Sequence, residues 1–200
     1  MTTNPDKVLE MVRKAGVLRS RELVKAGIAR SVLSRLEQQG KIQRIGRGLY
    51  SLADAAFTEH IDLMEVCKRA PQGVVCLISA LSFHEMTTQI PHEVWLAIGN
   101  KAHQPRIEYP PVRIVRFSKA SLEFGVETHD LDGVPGRVTT PAKTLADCFK
   151  YRSKVGSDVA IEAAKGYWRE RKGTIDELLR AAEVCRVKNV MRPYLEAIVG

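Results

Sequence analysis

Two hundred residues leave room for one large domain or two small ones, and an apolar fraction of 44% supports a packed core and argues against a disordered chain. No apolar run approaches the roughly 20 residues of a membrane span, and Met1-Thr-Thr-Asn-Pro-Asp6 lacks the charged-then-apolar pattern of a signal peptide, so a cytoplasmic location is the default expectation. The net charge of +8 is unevenly placed: residues 1–52 hold eleven basic and four acidic side chains, or +7, and the remaining 148 residues hold 20 basic and 19 acidic, or +1.

A basic head on a near-neutral body suits a polyanion-binding module joined to a part with another task. Asn4 before Pro5 reads as an N-cap followed by proline at the first helical position, opening a helix from Pro5 to Lys14 that carries Val8, Leu9 and Val12 and closes at Gly16. Val17 and Leu18 suit a short strand. Ser20 is expected to cap a second short helix that ends at Gly27. A third helix runs from Ile28 to Gln39 and stops at Gly40. Leu23, Val24, Ile28, Val32, Leu33 and Leu36 are expected to complete a three-helix core. Lys41 to Leu52 alternates, with Ile42, Arg44 and Gly46 pointing one way and Gln43, Ile45 and Arg47 the other. Gly46-Arg47-Gly48 suits a hairpin tip.

Helix, tight turn, helix and basic hairpin is the order of a winged helix-turn-helix, whose second helix enters the DNA major groove. With Leu33 and Leu36 facing inward, Arg30, Ser31, Ser34, Arg35 and Gln38 are left outward. Arginine can bond guanine in bidentate fashion, glutamine adenine, and serine a base or a phosphate. Arg30 and Ser31, at the start of the helix, are placed best for base edges. Lys41, Arg44 and Arg47 of the hairpin suit phosphates or the minor groove.

Ala53 to Phe57 reads as a linker. Thr58 is expected to cap a helix through Arg69 that buries Ile61, Met64 or Leu63, and Cys67, before Pro71-Gln-Gly73 breaks it. Val74-Val-Cys-Leu-Ile78 is a continuous apolar run of strand length. Ser79 is expected to cap a short helix from Ala80 to Met86. Glu93 to Ile98 and Val112 to Phe117 alternate as strands, and the proline-bearing stretch Gly99 to Pro111 reads as an exposed loop. Val126 to Leu131 is a further strand that turns at Asp132-Gly133 towards Val138.

From Thr140 the pattern is helical. Thr140-Pro141 is a cap followed by proline, with Leu145, Cys148 and Phe149 on one face. Ser157 opens a helix whose expected contacts are Val159, Ala160, Ala163, Ala164, Tyr167 and Trp168. Thr174-Ile-Asp-Glu177 is a capping box for a helix through Cys185. A last helix spans Lys188 to Val199, with Pro193 near its start. The fold class is therefore α+β: a winged helix-turn-helix over residues 1–54, then a mixed α/β body over 58–200. The body is a small sheet at about 73–138 followed by a helical bundle at 140–199.

Catalytic motifs are weak. Thr139, Thr140, Lys143, Thr144 and Asp147 gather at a helix start, but a cap and an i, i+4 ion pair account for them. The Glu-x-Lys at Glu170-Arg-Lys172 is a poor match to a metal-dependent nuclease centre. The histidines (His60, His84, His92, His103, His129) form no H-x-x-x-H pair, and Cys67, Cys76, Cys148 and Cys185 form no C-x-x-C. The cysteines read as reduced, buried small hydrophobes. No serine lies in a Gly-x-Ser-x-Gly elbow and no glycine-rich phosphate loop occurs. No catalytic residue, metal or cofactor is expected. The cluster Lys165, Arg169, Arg171 and Lys172 reads as a solvated helix face, with a second DNA contact or the binding of an acidic partner as the alternatives.

Several stretches resemble the AbiEi-type antitoxins of bacterial type IV toxin–antitoxin (abortive infection) systems. They are Arg47-Gly-Leu-Tyr50 at the end of the winged helix, Ala80-Leu-Ser-Phe-His84, Pro91-His-Glu-Val-Trp-Leu-Ala97 and, most specifically, Gly133-Val-Pro-Gly-Arg-Val-Thr-Thr-Pro-Ala-Lys-Thr-Leu-Ala-Asp-Cys-Phe149. His84-Glu-Met-Thr87 stands where that family shows His-Gly-Leu-Thr. The resemblance implies a non-enzymatic antitoxin and autorepressor. Its winged helix would bind inverted repeats in its own operator, a double-stranded DNA partner, and its C-terminal part would neutralise a nucleotidyltransferase-type toxin. A DNA-targeted nuclease or nucleotide-processing enzyme, and a ligand-sensing regulator, are the alternatives.

Overall fold

Glycines punctuate the N-terminal part of the computed structural model, which describes residues 4–46, 48–54 and 60–199. α1 (Asn4–Ala15) buries Val8 and Val12 and stops at Gly16, where φ is +62°. β1 (Leu18–Arg19), α2 (Ser20–Lys25), α3 (Ser31–Gln38), β2 (Ile42–Gly46) and β3 (Leu49–Leu52) follow. α2 and α3 both end in paired Schellman bonds. Ile28 N–H donates to Leu23 O and Gly27 N–H to Val24 O; Lys41 N–H donates to Leu36 O and Gly40 N–H to Glu37 O. Gly27 and Gly40 take the left-handed φ that these turns require, +71° and +64°. The strands form an antiparallel sheet in the order β1-β3-β2. Leu23, Ile28, Leu33, Leu36 and Ile42 close the core over α1. The winged helix-turn-helix is therefore present.

Four local expectations are corrected. Asn4 is the first residue of α1 and not a cap outside it. Ser20 is the first residue of α2: its N–H donates to the Gly48 carbonyl at 2.9 Å, because β1 runs straight into the helix beside the wing turn. The Glu22 carboxylate instead accepts from the Arg19 N–H at 3.0 Å. Val24 is 54% exposed, since α2 is short and buries only Leu23. The strict alternation of the hairpin breaks at a bulge. Arg44 pairs with Tyr50 and Gly46 with Leu49, which leaves Ile45 extra and free to pack against the body.

The body comprises α4 (Ile61–Arg69), β4 (Val74–Val75), α5 (Leu77–Phe83), β5 (Val94–Gly99), β6 (Val112–Phe117), α6 (Lys119–Glu123), β7 (Val126–Leu131) and β8 (Val134–Thr139). α7 (Pro141–Lys150), α8 (Arg152–Val155), α9 (Ser157–Arg169), α10 (Ile175–Cys185) and α11 (Lys188–Val199) complete it. The mixed sheet has the order β6-β5-β4-β8-β7. β4 and β8 run parallel, as do β5 and β6, while β4–β5 and β7–β8 are antiparallel. Alternate residues of β5 serve two cores. Val94, Leu96 and Ile98 pack with α4; Trp95 and Ala97 pack with the C-terminal helices. α7 is the central helix: every residue from Ala142 to Phe149 is buried, so it is covered on all sides. Val17 and Leu49 of the winged helix belong to the same cluster as α4, which ties head to body.

Here too the structure departs from local reading. The expected strand Val74–Ile78 is only Val74–Val75. Cys76 stays extended, Leu77 takes a φ of +49°, and the chain turns sharply into α5. Ser79 therefore lies inside α5, where its hydroxyl accepts from the Trp95 N–H at 2.9 Å. Thr58 and residues 55–57 of the expected linker lie outside the described residues, and α4 starts at Ile61. α6 and α8 are additional short helices. Trp168 is 43% exposed and not a core contact. The four cysteines are free and buried, and the Thr140 and Thr174 caps form as expected.

Candidate nucleic-acid interface

α3 buries Val32, Leu33 and Leu36 on one face. Arg30, Ser31, Ser34, Arg35 and Gln38 are all exposed on the other. Arg30 stands at the N-terminal boundary of the helix without a capping hydrogen bond from its side chain. Lys41 is exposed just past the Gly40 turn. Arg44 is exposed on β2, where its Nε donates to the Gly46 carbonyl at 3.2 Å. Gln43 Nε2 donates to the Leu52 carbonyl at 3.2 Å and braces the hairpin from inside. Arg47 lies outside the described residues. Arginine, serine and glutamine on one exposed helix face, followed by cationic hairpin positions, form a surface chemically able to bond base edges and phosphates.

The threonine–lysine–aspartate group at the start of α7 is a sealed structural cluster. Lys143 and Asp147 form an ion pair with both side chains 0% exposed. The Cys185 thiol donates to Asp147 Oδ1 at 3.1 Å. The Thr139 and Thr144 hydroxyls lie 2.6 Å apart, and His84 Nε2 donates to the Thr139 carbonyl at 2.7 Å. Burial raises the Asp147 carboxyl above its ordinary range, against the opposing pull of Lys143. It also pushes the Cys185 thiol up to about 12, with the Asp147 charge adding to the effect. The i, i+4 spacing was visible in the sequence; the complete burial was not.

Glu170 sits among its own counter-charges, 2.9 Å from Arg169 and 3.5 Å from Lys172. Among the described residues no three His, Cys, Asp or Glu side chains converge as metal ligands. None of the described helices is long and apolar enough to cross a membrane.

Residues 6–53, from α1 to the end of the wing, match a family model described as "Transcriptional regulator, AbiEi antitoxin". The N-terminal domain thus matches this antitoxin family. No curated protein matches the sequence. Among solved structures, the RV2827C protein from Mycobacterium tuberculosis is similar at a TM-score of 0.54 and 12% identity, over 96% of this chain and 80% of that one. At that identity the likeness concerns the fold. It extends beyond the AbiEi domain through the sheet and C-terminal helices.

Proposed function

We propose that this protein represses its own operon by binding inverted-repeat operator DNA through the AbiEi domain. We further propose that residues 58–200 neutralise a nucleotidyltransferase-type toxin. The observation that carries the reading is α3: an amphipathic helix with an exposed face of Arg30, Ser31, Ser34, Arg35 and Gln38, in the segment that holds nearly all of the excess positive charge. In this reading α3 enters the major groove, with Arg30 and Ser31 at base edges and Arg35 at a base or a phosphate. Lys41, Arg44 and Arg47 hold the backbone or reach the minor groove. Inverted repeats call for two heads related by a two-fold axis, spaced about one turn of DNA or a multiple of it. The toxin half of the proposal is supported by the AbiEi match and by the Thr-Pro-Ala-Lys-Thr-Leu-Ala-Asp-Cys resemblance at residues 140–148.

The test is fluorescence-anisotropy binding of the full chain to the DNA upstream of its gene and to a scrambled duplex, across salt concentrations. Tight binding to the native DNA alone, with a steep salt slope, is expected. Equal weak binding to both would overturn the repressor reading. For the toxin half, a full chain with Arg30, Arg35, Lys41 and Arg44 changed to alanine should lose the operator but still rescue cells that express the toxin. Failure of rescue by that variant, folded, would overturn the division of labour.

A further inference from the structure

Four arginines from separate segments converge where the AbiEi domain meets the body. Arg19 ends β1, Arg21 lies in α2, Arg69 ends α4 and Arg106 comes from the loop between β5 and β6. With Ser20, Gly48 and Leu49 they line a cleft of about 250 Å³. No acidic side chain among the described residues lines it. The two acids whose charges act on Arg19 are engaged beside the cleft: Glu65 pairs with Arg69 at 2.5 Å, and Glu22 accepts from the Arg19 N–H and lies 3.7 Å from Lys68.

Arg19 carries the argument furthest. It is 6% exposed, and its Nη2 has no hydrogen-bond partner among the described residues. Burial, and after it the neighbouring Arg21, lowers its pKa to about 10, so the guanidinium stays charged at neutral pH. A buried donor on a fixed charge needs an acceptor, and an ion or ligand is one of the few that can serve. Placing four guanidiniums around one cleft compounds the cost, because like charges repel. A tetrahedral oxyanion answers both needs. Each guanidinium fork takes two acceptor oxygens, and a phosphate group offers them on several sides, whereas a planar carboxylate serves fewer forks. At roughly 30 Å³ per water the cleft holds roughly eight waters, ample for a phosphate group.

We propose that this cleft binds a phosphate group, which ties the AbiEi domain to the body through Arg19 and Arg21 on one side and Arg69 and Arg106 on the other. The cleft reaches the wing turn at Gly48, so the backbone of bound DNA is one source of the phosphate. A free phosphorylated small molecule is the other. The first source rests on the DNA-binding reading above; the second does not.

The experiment uses the full chain and begins without DNA. Thermal melting is followed in increasing inorganic phosphate at matched ionic strength, with chloride and acetate as controls. The same series is run on Arg106→Gln and Arg21→Gln, both at exposed positions whose replacement should leave the fold intact. A saturable rise in Tm specific to phosphate is expected, and each variant should need at least tenfold more phosphate for the same rise. Operator binding of the same variants then separates the sources. If DNA supplies the phosphate, both variants bind operator and scrambled duplex more weakly by the same factor. The log–log salt slope then falls by roughly 0.9 for each phosphate no longer held, and inorganic phosphate competes. If a free ligand supplies it, operator affinity is unchanged while the phosphate-dependent rise in Tm disappears. Two results overturn the proposal: no phosphate-specific rise together with unchanged operator affinity in both variants, or a rise that persists undiminished in both. Failure of the DNA-binding reading looks different, as equal binding to operator and scrambled duplex by the unmodified chain.

Discussion

Gly16 and Gly133 meet backbone to backbone where α1 ends against the β7–β8 turn. A Cβ on Gly16 would lie 1.6 Å from the Asp132 carbonyl oxygen, and one on Gly133 would lie 2.8 Å from the Gly16 nitrogen. Both residues are left-handed, with φ of +62° and +84°. The close approach joins head and body through main chain, so a side chain there must move one part against the other. Gly40 is the natural control: its φ is +64°, but nothing lies within 4 Å of its Cβ position. Gly40→Ala should cost only the left-handed penalty, about 1–2 kcal/mol. Gly16→Ala should cost clearly more in urea unfolding. Equal losses would mean that the head does not press on the turn.

The Lys143–Asp147 pair should behave as buried ion pairs do. Removing one partner, as in Lys143→Ala or Asp147→Ala, leaves an uncompensated buried charge and should cost about 3–5 kcal/mol. The double change Lys143→Met with Asp147→Leu should cost much less than the sum of the two, because neither charge then remains. Denaturant titrations of the three variants decide it. Additive losses would refute the coupling.

His84 gives a pH dependence with a definite sign. Burial lowers its pKa below the ordinary 6.5, with His129 adding to the effect, although the Thr139 carbonyl pulls it back up. The folded state therefore binds fewer protons than the unfolded state as pH falls through 6.5, so stability drops with falling pH. That contribution is full above 6.5 and is lost between 6.5 and the lower folded value. His84→Gln keeps a donor for the Thr139 carbonyl and should flatten the stability profile between about pH 7 and 5. An unchanged slope would assign the dependence to other groups.

On the proposed DNA face, Arg30→Ala or Arg35→Ala should weaken operator binding by about 1–3 kcal/mol where that residue reads a base, and relax discrimination at that position. Substituting Lys41, Arg44 and Arg47 together should instead weaken all duplexes alike and reduce the salt slope, by roughly 0.9 for each phosphate that the wing no longer neutralises. Unchanged affinity in that triple variant would remove the wing from the interface.

The fragment 58–200 is a less clean test of toxin neutralisation than the full-length variant. Val17 and Leu49 pack with α4 in one cluster, so removing the head uncovers apolar surface on the body. The fragment should unfold at lower urea than the full chain, as circular dichroism would show. Equal midpoints would mean that the body does not depend on the head.

Most helix boundaries could be read from the residues alone, because their signals act within a single turn. Gly27 and Gly40 stop α2 and α3 by their left-handed φ, Thr140-Pro141 starts α7, and Thr174 with Glu177 starts α10. The exposed polar face of α3 follows from the spacing of Val32, Leu33 and Leu36 in the same way. Where a local signal competed with a longer-range bond, it lost. Ser20 could cap, but β1 pairs with β3 through Arg19 and Leu49, which leaves Arg19 and not Ser20 at the cap position. Ser79 could cap, but its hydroxyl serves Trp95, on a strand that neighbours β4. The run Val74–Ile78 could extend, but Leu77 turns the chain into a helix that must cover the sheet.

By itself, then, the sequence determined a basic winged helix-turn-helix followed by a mixed body, since charge placement, periodicity and caps are properties of neighbouring residues. Only the tertiary structure decided the order β6-β5-β4-β8-β7, the sealing of Lys143 against Asp147, and the meeting of Arg19, Arg21, Arg69 and Arg106. Each of these depends on contacts between segments far apart in the chain, and the free energy of such contacts comes from burial and charge that no local pattern encodes.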